Sequence, residues 1–389
     1  MAEVPFSVPD PRIFPSIESA PPELRALYSL AEASLAADSQ QRADECDLEL
    51  RAWLALALER DGALLAAALR DAPSVAVTRH VWRALDAVWR ESSAHGGNVA
   101  MTVFALPVVI VAGVESGDPC SLAGILPHAE RLAAILREHG AIGGNRTFAL
   151  ANALVAAEAI DVARLPQIRR WERLPDAFPA GATIAPRELR PAPIDAPAGG
   201  EAVHLRFAIG TAIAGSAVDL TSETDVGRWG IPFAQELGRQ LAMHRASVLA
   251  LPRAPQRPLP AVAAGRAAQR EVSAQLFVSN ALRRFRASVG EAAAVVSAHR
   301  AADAPGGGEL RLSLSSAFDA RAAEGFRCPL YPLDRVGDVV TMLVDLLRDC
   351  RLTDIRTLAG IHADRIPGIG SALLFKPDTI PDSAQVTVH

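Results

Sequence analysis

Five carboxylates follow two short apolar runs, Glu115 and Asp118 after Phe104–Gly113, and Asp219, Glu223 and Asp225 after Phe207–Gly215. Loops beyond strand ends are where α/β proteins place ligand sites, and both hard cations and acid–base steps use such oxygens. No Asp-x-Asp-x-Asp loop with a closing glutamate is present, so no metal is expected. A second candidate is the turn Ile142-Gly143-Gly144-Asn145-Arg146-Thr147, read as opening directly into a helix. Backbone amides at a helix start, with Arg146 beside them, suit a phosphate or a carboxylate. The ligand-binding candidates are therefore Glu115, Asp118, Gly143, Gly144, Arg146 and Asp219, with solvated loop charge and ordinary turn chemistry as the competing account.

Several reaction classes lose a required residue. Lys376 is the only lysine among 39 basic residues, and no glycine-rich loop precedes it, which removes Schiff-base, pyridoxal-phosphate and P-loop chemistry. His95-Gly96-Gly97 resembles the oxyanion loop of esterases, but no Gly-x-Ser-x-Gly elbow occurs in the chain. Cys46, Cys120, Cys328 and Cys350 form no Cys-x-x-Cys pair, and the histidines combine with neither the cysteines nor one another at ligand spacing. Ile366-Pro-Gly-Ile-Gly370-Ser-Ala-Leu is similar to the hairpin of helix-hairpin-helix DNA-binding motifs, with only Arg365 and Lys376 basic nearby. No cofactor is expected, and no catalytic residue is assigned.

The elements that must carry these groups follow from periodicity. Residues 1–22 hold six prolines among Phe6, Ile13 and Phe14, which predicts an extended arm with apolar anchors. Helices are predicted over Pro22–Ala37, Cys46–Arg70 and Val75–Glu91; in the last, Val77, Val81, Leu85 and Val88 form a core stripe with Trp82 and Trp89 beside it. A strand from Val99 to Val111, broken at Pro107, precedes helices at Pro127–His139, Thr147–Glu158 and Leu165–Glu172. Residues 174–200 carry six prolines and no apolar period, and read as a linker. Beyond it come a strand at Ala202–Ile209, helices at Pro232–Leu249 and Ala263–Val289, and a hairpin of Val295–His299 with Leu310–Leu314 around Ala-Pro-Gly-Gly-Gly. A helix at Val336–Arg351 and strands near Ile355–Ile361 and Ala372–Phe375 complete an α/β or α+β chain. The expected organisation is an arm (1–22), a helix-rich domain (23–173), the linker, an α/β domain (201–377) and a tail (378–389).

The two halves also resemble each other. Pro127-x-Ala-x-x-Leu-x-x-x-Leu-x-x-His139 and Pro232-x-Ala-x-x-Leu-x-x-x-Leu-x-x-His244 follow the two apolar runs, and Phe148 with Asn152-Ala-Leu answers Phe277 with Asn280-Ala-Leu. Either a strand-loop-helix unit is tandemly duplicated, or an alanine-rich chain has repeated a common helical pattern. The formal charge of -5 offers no overall attraction to nucleic acid or anionic membrane. The 16 uncharged residues from Val99 to Val114 are too few for a membrane helix, and no secretory signal opens the chain, so the cytoplasm is expected. The leading functional expectation is a non-catalytic assembly or adaptor subunit that binds a protein partner or itself, using the arm and the tail Gln385-Val-Thr-Val388. The alternatives are an enzyme or small-molecule binder with a cleft between related halves, and a nucleic-acid binder using Arg283, Arg284 and Arg286.

Overall fold

A computed structural model describes residues 8–94, 100–142, 148–172, 189–214, 226–241, 246–288, 292–301, 304, 306–316, 323–362, 380 and 386–389. The chain divides into two compact units. Unit 1 comprises Met1–Tyr28, Leu69–Arg79 and Arg270–His389; unit 2 comprises Ser29–Ala68 and His80–Gln269.

Among the described residues the helices are α1 (Pro22–Leu35), α2 (Gln40–Arg60), α3 (Gly62–Arg70), α4 (Val75–Ala94), α5 (Ala129–Glu138), α6 (Leu165–Glu172), α7 (Val226–Leu241), α8 (Pro258–Ser288) and α9 (Val336–Asp349). The strands are β1 (Ala100–Val114), β2 (Cys120–Leu122), β3 (Phe148–Val155), β4 (Ile194–Ala196), β5 (Glu201–Ala214), β6 (Ala246–Pro252), β7 (Ala292–Arg300), β8 (Gly308–Ser316), β9 (Ala323–Pro329), β10 (Asp354–His362) and β11 (Val386–Val388). The mixed helix and strand class expected from the sequence is present. The α4 stripe of Val77, Val81, Leu85 and Val88 is buried, with Trp89.

Unit 2 is built on a four-stranded sheet in the order β3-β5-β1-β6, antiparallel throughout. β1 and β5 pair from Ala100↔Ala214 to Gly113↔Glu201, so residues before and after 174–200 occupy one sheet. The expected two-domain division at that stretch therefore gives way to one in which it joins strands of a single unit. Each central strand leads through a helix to the outer strand on the far side of the other: β1-α5-β3 brackets β5, and β5-α7-β6 brackets β1. This is the split β-α-β arrangement. Leu132 and Leu136 of α5, with Trp229, Phe233 and Leu237 of α7, pack on Phe104, Leu106, Val108 and Ile110 of β1.

Several expectations on these segments need correction. Residues 147–158 and the end of 232–249 were expected to be helical, yet they hold strands β3 and β6. The third matched piece also differs, since Phe148 and Asn152 lie in β3 while Phe277 and Asn280 lie in α8. β1 runs unbroken through Pro107. Its carbonyl accepts from Arg253 N at 2.8 Å, just beyond the last β1–β6 pair Val108↔Pro252, so the missing proline N–H costs one bond at the end of that ladder and leaves the strand intact. The single helix expected over 46–70 is two, because Asp61 caps α3 by accepting from Leu64 N at 2.9 Å. Gly62 follows it because a Cβ there would lie 2.1 Å from the Ala163 carbonyl oxygen.

Unit 1 holds a five-stranded sheet in the order β11-β10-β7-β8-β9, with only the β10–β7 pair parallel. The expected β7–β8 hairpin forms. Ala294, Val296, Leu310, Leu312 and Leu314 pack against Val278, Leu282 and Phe285 of α8 and Val340, Leu343 and Leu347 of α9. The described part of the arm belongs to this unit. Arg12 is buried, donates to the carbonyls of Tyr331 at 2.7 Å and Asp334 at 2.8 Å, and pairs with Asp10 at 2.6 Å. Asp334 in turn holds Arg270 and accepts from Tyr331 N. The end of the tail pairs with β10 through Val386–Val388, so it extends this chain's own sheet and not a neighbour's.

Candidate functional site

Glu115 and Asp118 lie exposed in the turn between β1 and β2. Glu115 lines an open groove of about 560 Å³ with Ser116, Gly117, Ala246 and Ser247, at the end of β1 and the start of β6; Asp118 does not line it. Gly143, Gly144, Arg146 and Asp219 fall outside the described residues, as do Glu223, Asp225, the His95 turn and the 366–373 hairpin. Of the other candidates only Asp118 lies among the described residues, in the same turn as Glu115 but off the groove.

The groove borders an edge that differs from its counterpart. On the far side of the sheet, β3 is covered by the chain itself: Leu126 N donates to Asn152 O at 2.7 Å, Leu154 N to Gly124 O at 2.8 Å, and Ile125 bridges Ala153. Along β6, among the described residues, no backbone bond arrives from the side away from β1. Arg253 N bonds Pro107 O, and antiparallel alternation makes the odd-numbered residues of β6 face β1. Val248 and Ala250 consequently turn their N–H and C=O groups outward. β6 reads Ala-Ser-Val-Leu-Ala-Leu-Pro, without a charge, and leaves Leu249 55% exposed; Ile231 of α7 is 64% exposed.

Polar groups gather most densely in unit 1, on the face of the five-stranded sheet opposite its apolar core. Alternate residues along a strand share a face. Ser297 and His299 of β7, Glu309, Arg311, Ser313 and Ser315 of β8, and Arg327 of β9 therefore lie together, and all but Arg327 are buried. Ser297 Oγ and His299 Nε2 are 2.8 Å apart. Glu309 accepts from Arg311 Nε at 2.6 Å and, through its other oxygen, from Arg327 Nε at 2.7 Å. Val295 and Leu358 continue this face as a small apolar cluster with Ile380. The strand Glu-Leu-Arg-Leu-Ser-Leu-Ser reads from sequence as half-exposed, which is why the cluster was missed. Its period of two was the available signal.

Cys328 of β9 faces the core next to this cluster. Burial pushes its thiol from 9.0 up to about 12; Arg270 opposes the shift, and Asp334 and Glu309 add to it. Because the unfolded thiol ionises first, the folded state loses stability as pH rises above 9. The slope is about 1.4 kcal/mol per pH unit up to about 12. Urea unfolding between pH 8 and 11 should show this slope, and Cys328→Ala should remove it. An unchanged slope in the variant would assign the pH effect to other groups.

The remaining constellations read as ties within the fold. Ser34 Oγ donates to Asp47 Oδ1 at 2.6 Å, and His80 Nε2 lies 2.9 Å from the same oxygen. With the carboxylate in the middle, the imidazole does not reach the hydroxyl, as nucleophile activation requires. Arg284 of the expected arginine cluster is held by Glu324. None of the four cysteines is in a disulfide. Among the described residues there is no metal-competent cluster of three His, Cys, Asp or Glu side chains, and no helix is long and apolar enough to cross a membrane. Comparisons of the chain with family models, curated proteins and solved structures give no match.

Proposed function

We propose that the protein is a cytoplasmic assembly subunit that joins a second copy of itself by strand addition at β6. The observation that carries the reading is the uncharged β6 edge, bare among the described residues, in a sheet whose opposite edge the chain covers itself. Natural edges of this kind are normally blunted by charge or proline; β6 carries no charge and its one proline stands at its last residue, so the residues before it are a template for another strand. The described parts of the arm and of the tail are engaged within unit 1, so the assembly role falls to β6.

Self-pairing is favoured by the strand's own pattern. An antiparallel pair centred on Leu249 places the two Leu249 side chains together in the close, non-hydrogen-bonded position, while Val248 and Ala250 exchange backbone bonds. It sets Ala246 against Pro252 of the second copy, where a missing N–H ends the ladder. The same register carries Arg253 of the second copy to the groove lined by Glu115, so opposite charges meet at both ends.

Light scattering should give twice 41.0 kDa for the full chain at tens of micromolar. Leu249→Lys puts two like charges at the centre and should weaken association at least roughly tenfold, with circular dichroism unchanged. Glu115→Arg should weaken it less, and adding Arg253→Glu should restore it. A wild-type chain that stays at 41.0 kDa would sink the proposal.

A further inference from the structure

We infer that the exposed face of α2 docks a basic amphipathic helix from a partner protein, with the partner's apolar row on Leu48, Ala52 and Leu56 and its cations on Asp44, Glu45 and Glu49. α2 is apolar on two sides. Leu50, Leu54, Ala57 and Leu58 are buried on the inner side. On the outer side Leu48 is 72% exposed, Ala52 is exposed and Leu56 is 57% exposed, spaced four residues apart along one helix face. A single exposed leucine is ordinary on a protein surface, whereas an apolar row rimmed by charge marks a contact surface. Ser34 Oγ, bonded to Asp47 Oδ1 at 2.6 Å, brings the end of α1 alongside, where Leu35 is 50% exposed.

Charge defines the partner. The stretch from Glu32 to Glu49 holds six carboxylates and one arginine, as much net negative charge as the whole chain's formal -5. Asp47 is taken by Ser34 and His80. Among the described residues Glu32, Asp38, Asp44, Glu45 and Glu49 are in no ion pair, and Asp44 and Glu45 accept from the neutral amides of Gln40 and Gln41. Glu45 and Glu49 stand four apart, where like charges on a helix repel, and both lie beyond the first turn, the part of a helix in which its dipole favours carboxylates. Within α2 the pair is a cost.

The kind of partner follows from what α2 offers. Its backbone bonds are internal, so an added strand finds no edge, and a row at every fourth residue is the ridge against which a second helix packs. A second copy of α2 brings carboxylates to carboxylates, and an anionic membrane is repelled for the same reason. Among the described residues there is no metal-competent cluster of three ligands. Arginine or lysine flanking an apolar row complements both parts of the face.

The test uses the full chain and a labelled synthetic helix of roughly 18 residues, with leucine at every fourth position and arginine on both flanks, long enough to span the face. Fluorescence anisotropy should show binding that weakens as sodium chloride rises from about 0.1 M to about 1 M. Leu48→Ser, and separately the double variant Glu45→Gln, Glu49→Gln, should each weaken it about tenfold, with circular dichroism unchanged because all three positions are exposed. A scrambled peptide of the same composition should bind at least about tenfold more weakly. Equal binding of the scrambled peptide would overturn the inference by reducing it to bulk charge attraction, as would binding that survives both variants or a helical peptide that does not bind at all. Leu249→Lys should leave peptide binding intact, which separates this face from the β6 edge. A mass by light scattering that falls with Leu48→Ser would give the α2 face to the second copy and overturn the inference as well.

Discussion

Replacing Glu309 with glutamine is expected to cost about 3–5 kcal/mol of folding free energy, read as a fall in the urea midpoint without a change in slope. Glu309 is 1% exposed and serves two guanidiniums through separate oxygens. Glutamine keeps the shape but removes the charge, and its amide nitrogen must face one arginine donor to donor. Arg311 then loses the buried carboxylate that pairs with its Nε. The Arg327 end contributes less, since half of that side chain is in water and is screened there. A Glu309→Leu, Arg311→Leu chain should recover much of the loss, because both buried partners are deleted together. If Glu309→Gln unfolds like wild type, the carboxylate does not hold this face together.

Gly210→Ala should destabilise unit 2 by about 3 kcal/mol. Gly210 lies opposite Phe104 in the β1–β5 register, and a Cβ on it would fall 2.1 Å from the Phe104 ring. The ring cannot step aside freely. It is fully buried and stands edge-on to Phe148, with centroids 6.2 Å apart. The glycine thus supplies the space into which the aromatic side chain folds, at the centre of the sheet. Phe104→Leu should itself cost stability, yet the double variant should lose less than the sum of the two single variants. Additive losses would show that the two positions do not share the space.

Most of the α-helices were legible because their apolar spacing is read locally, as with Val77, Val81, Leu85 and Val88. The β7–β8 hairpin was legible for a similar reason, since the Ala-Pro-Gly-Gly-Gly turn and the alternation on either side are contiguous. The two outer strands of unit 2 were not. Phe-Ala-Leu-Ala-Asn-Ala-Leu-Val and Ala-Ser-Val-Leu-Ala-Leu-Pro are rich in strong helix formers, and only the unpaired sides of β5 and β1 make them strands. The position of Glu115 was legible because it directly follows the apolar run that forms β1. The polar sheet face was not, because a Leu-polar alternation looks the same whether its polar side meets water or is covered. Burial of Glu309 and Ser313 is a property of the tertiary fold alone.

The interleaving of the two units has a consequence for synthesis. Unit 1 takes its pieces from both ends of the chain, so no contiguous fragment contains it, and a fragment beginning after residue 200 would also strip β5 of β1. Arg12 leaves the ribosome 319 residues before the carbonyl of Tyr331 that it binds. At roughly 5–20 residues per second, that is a wait of about 16–64 s. Its pairing with Asp10, two residues away, gives the guanidinium a local partner during that interval.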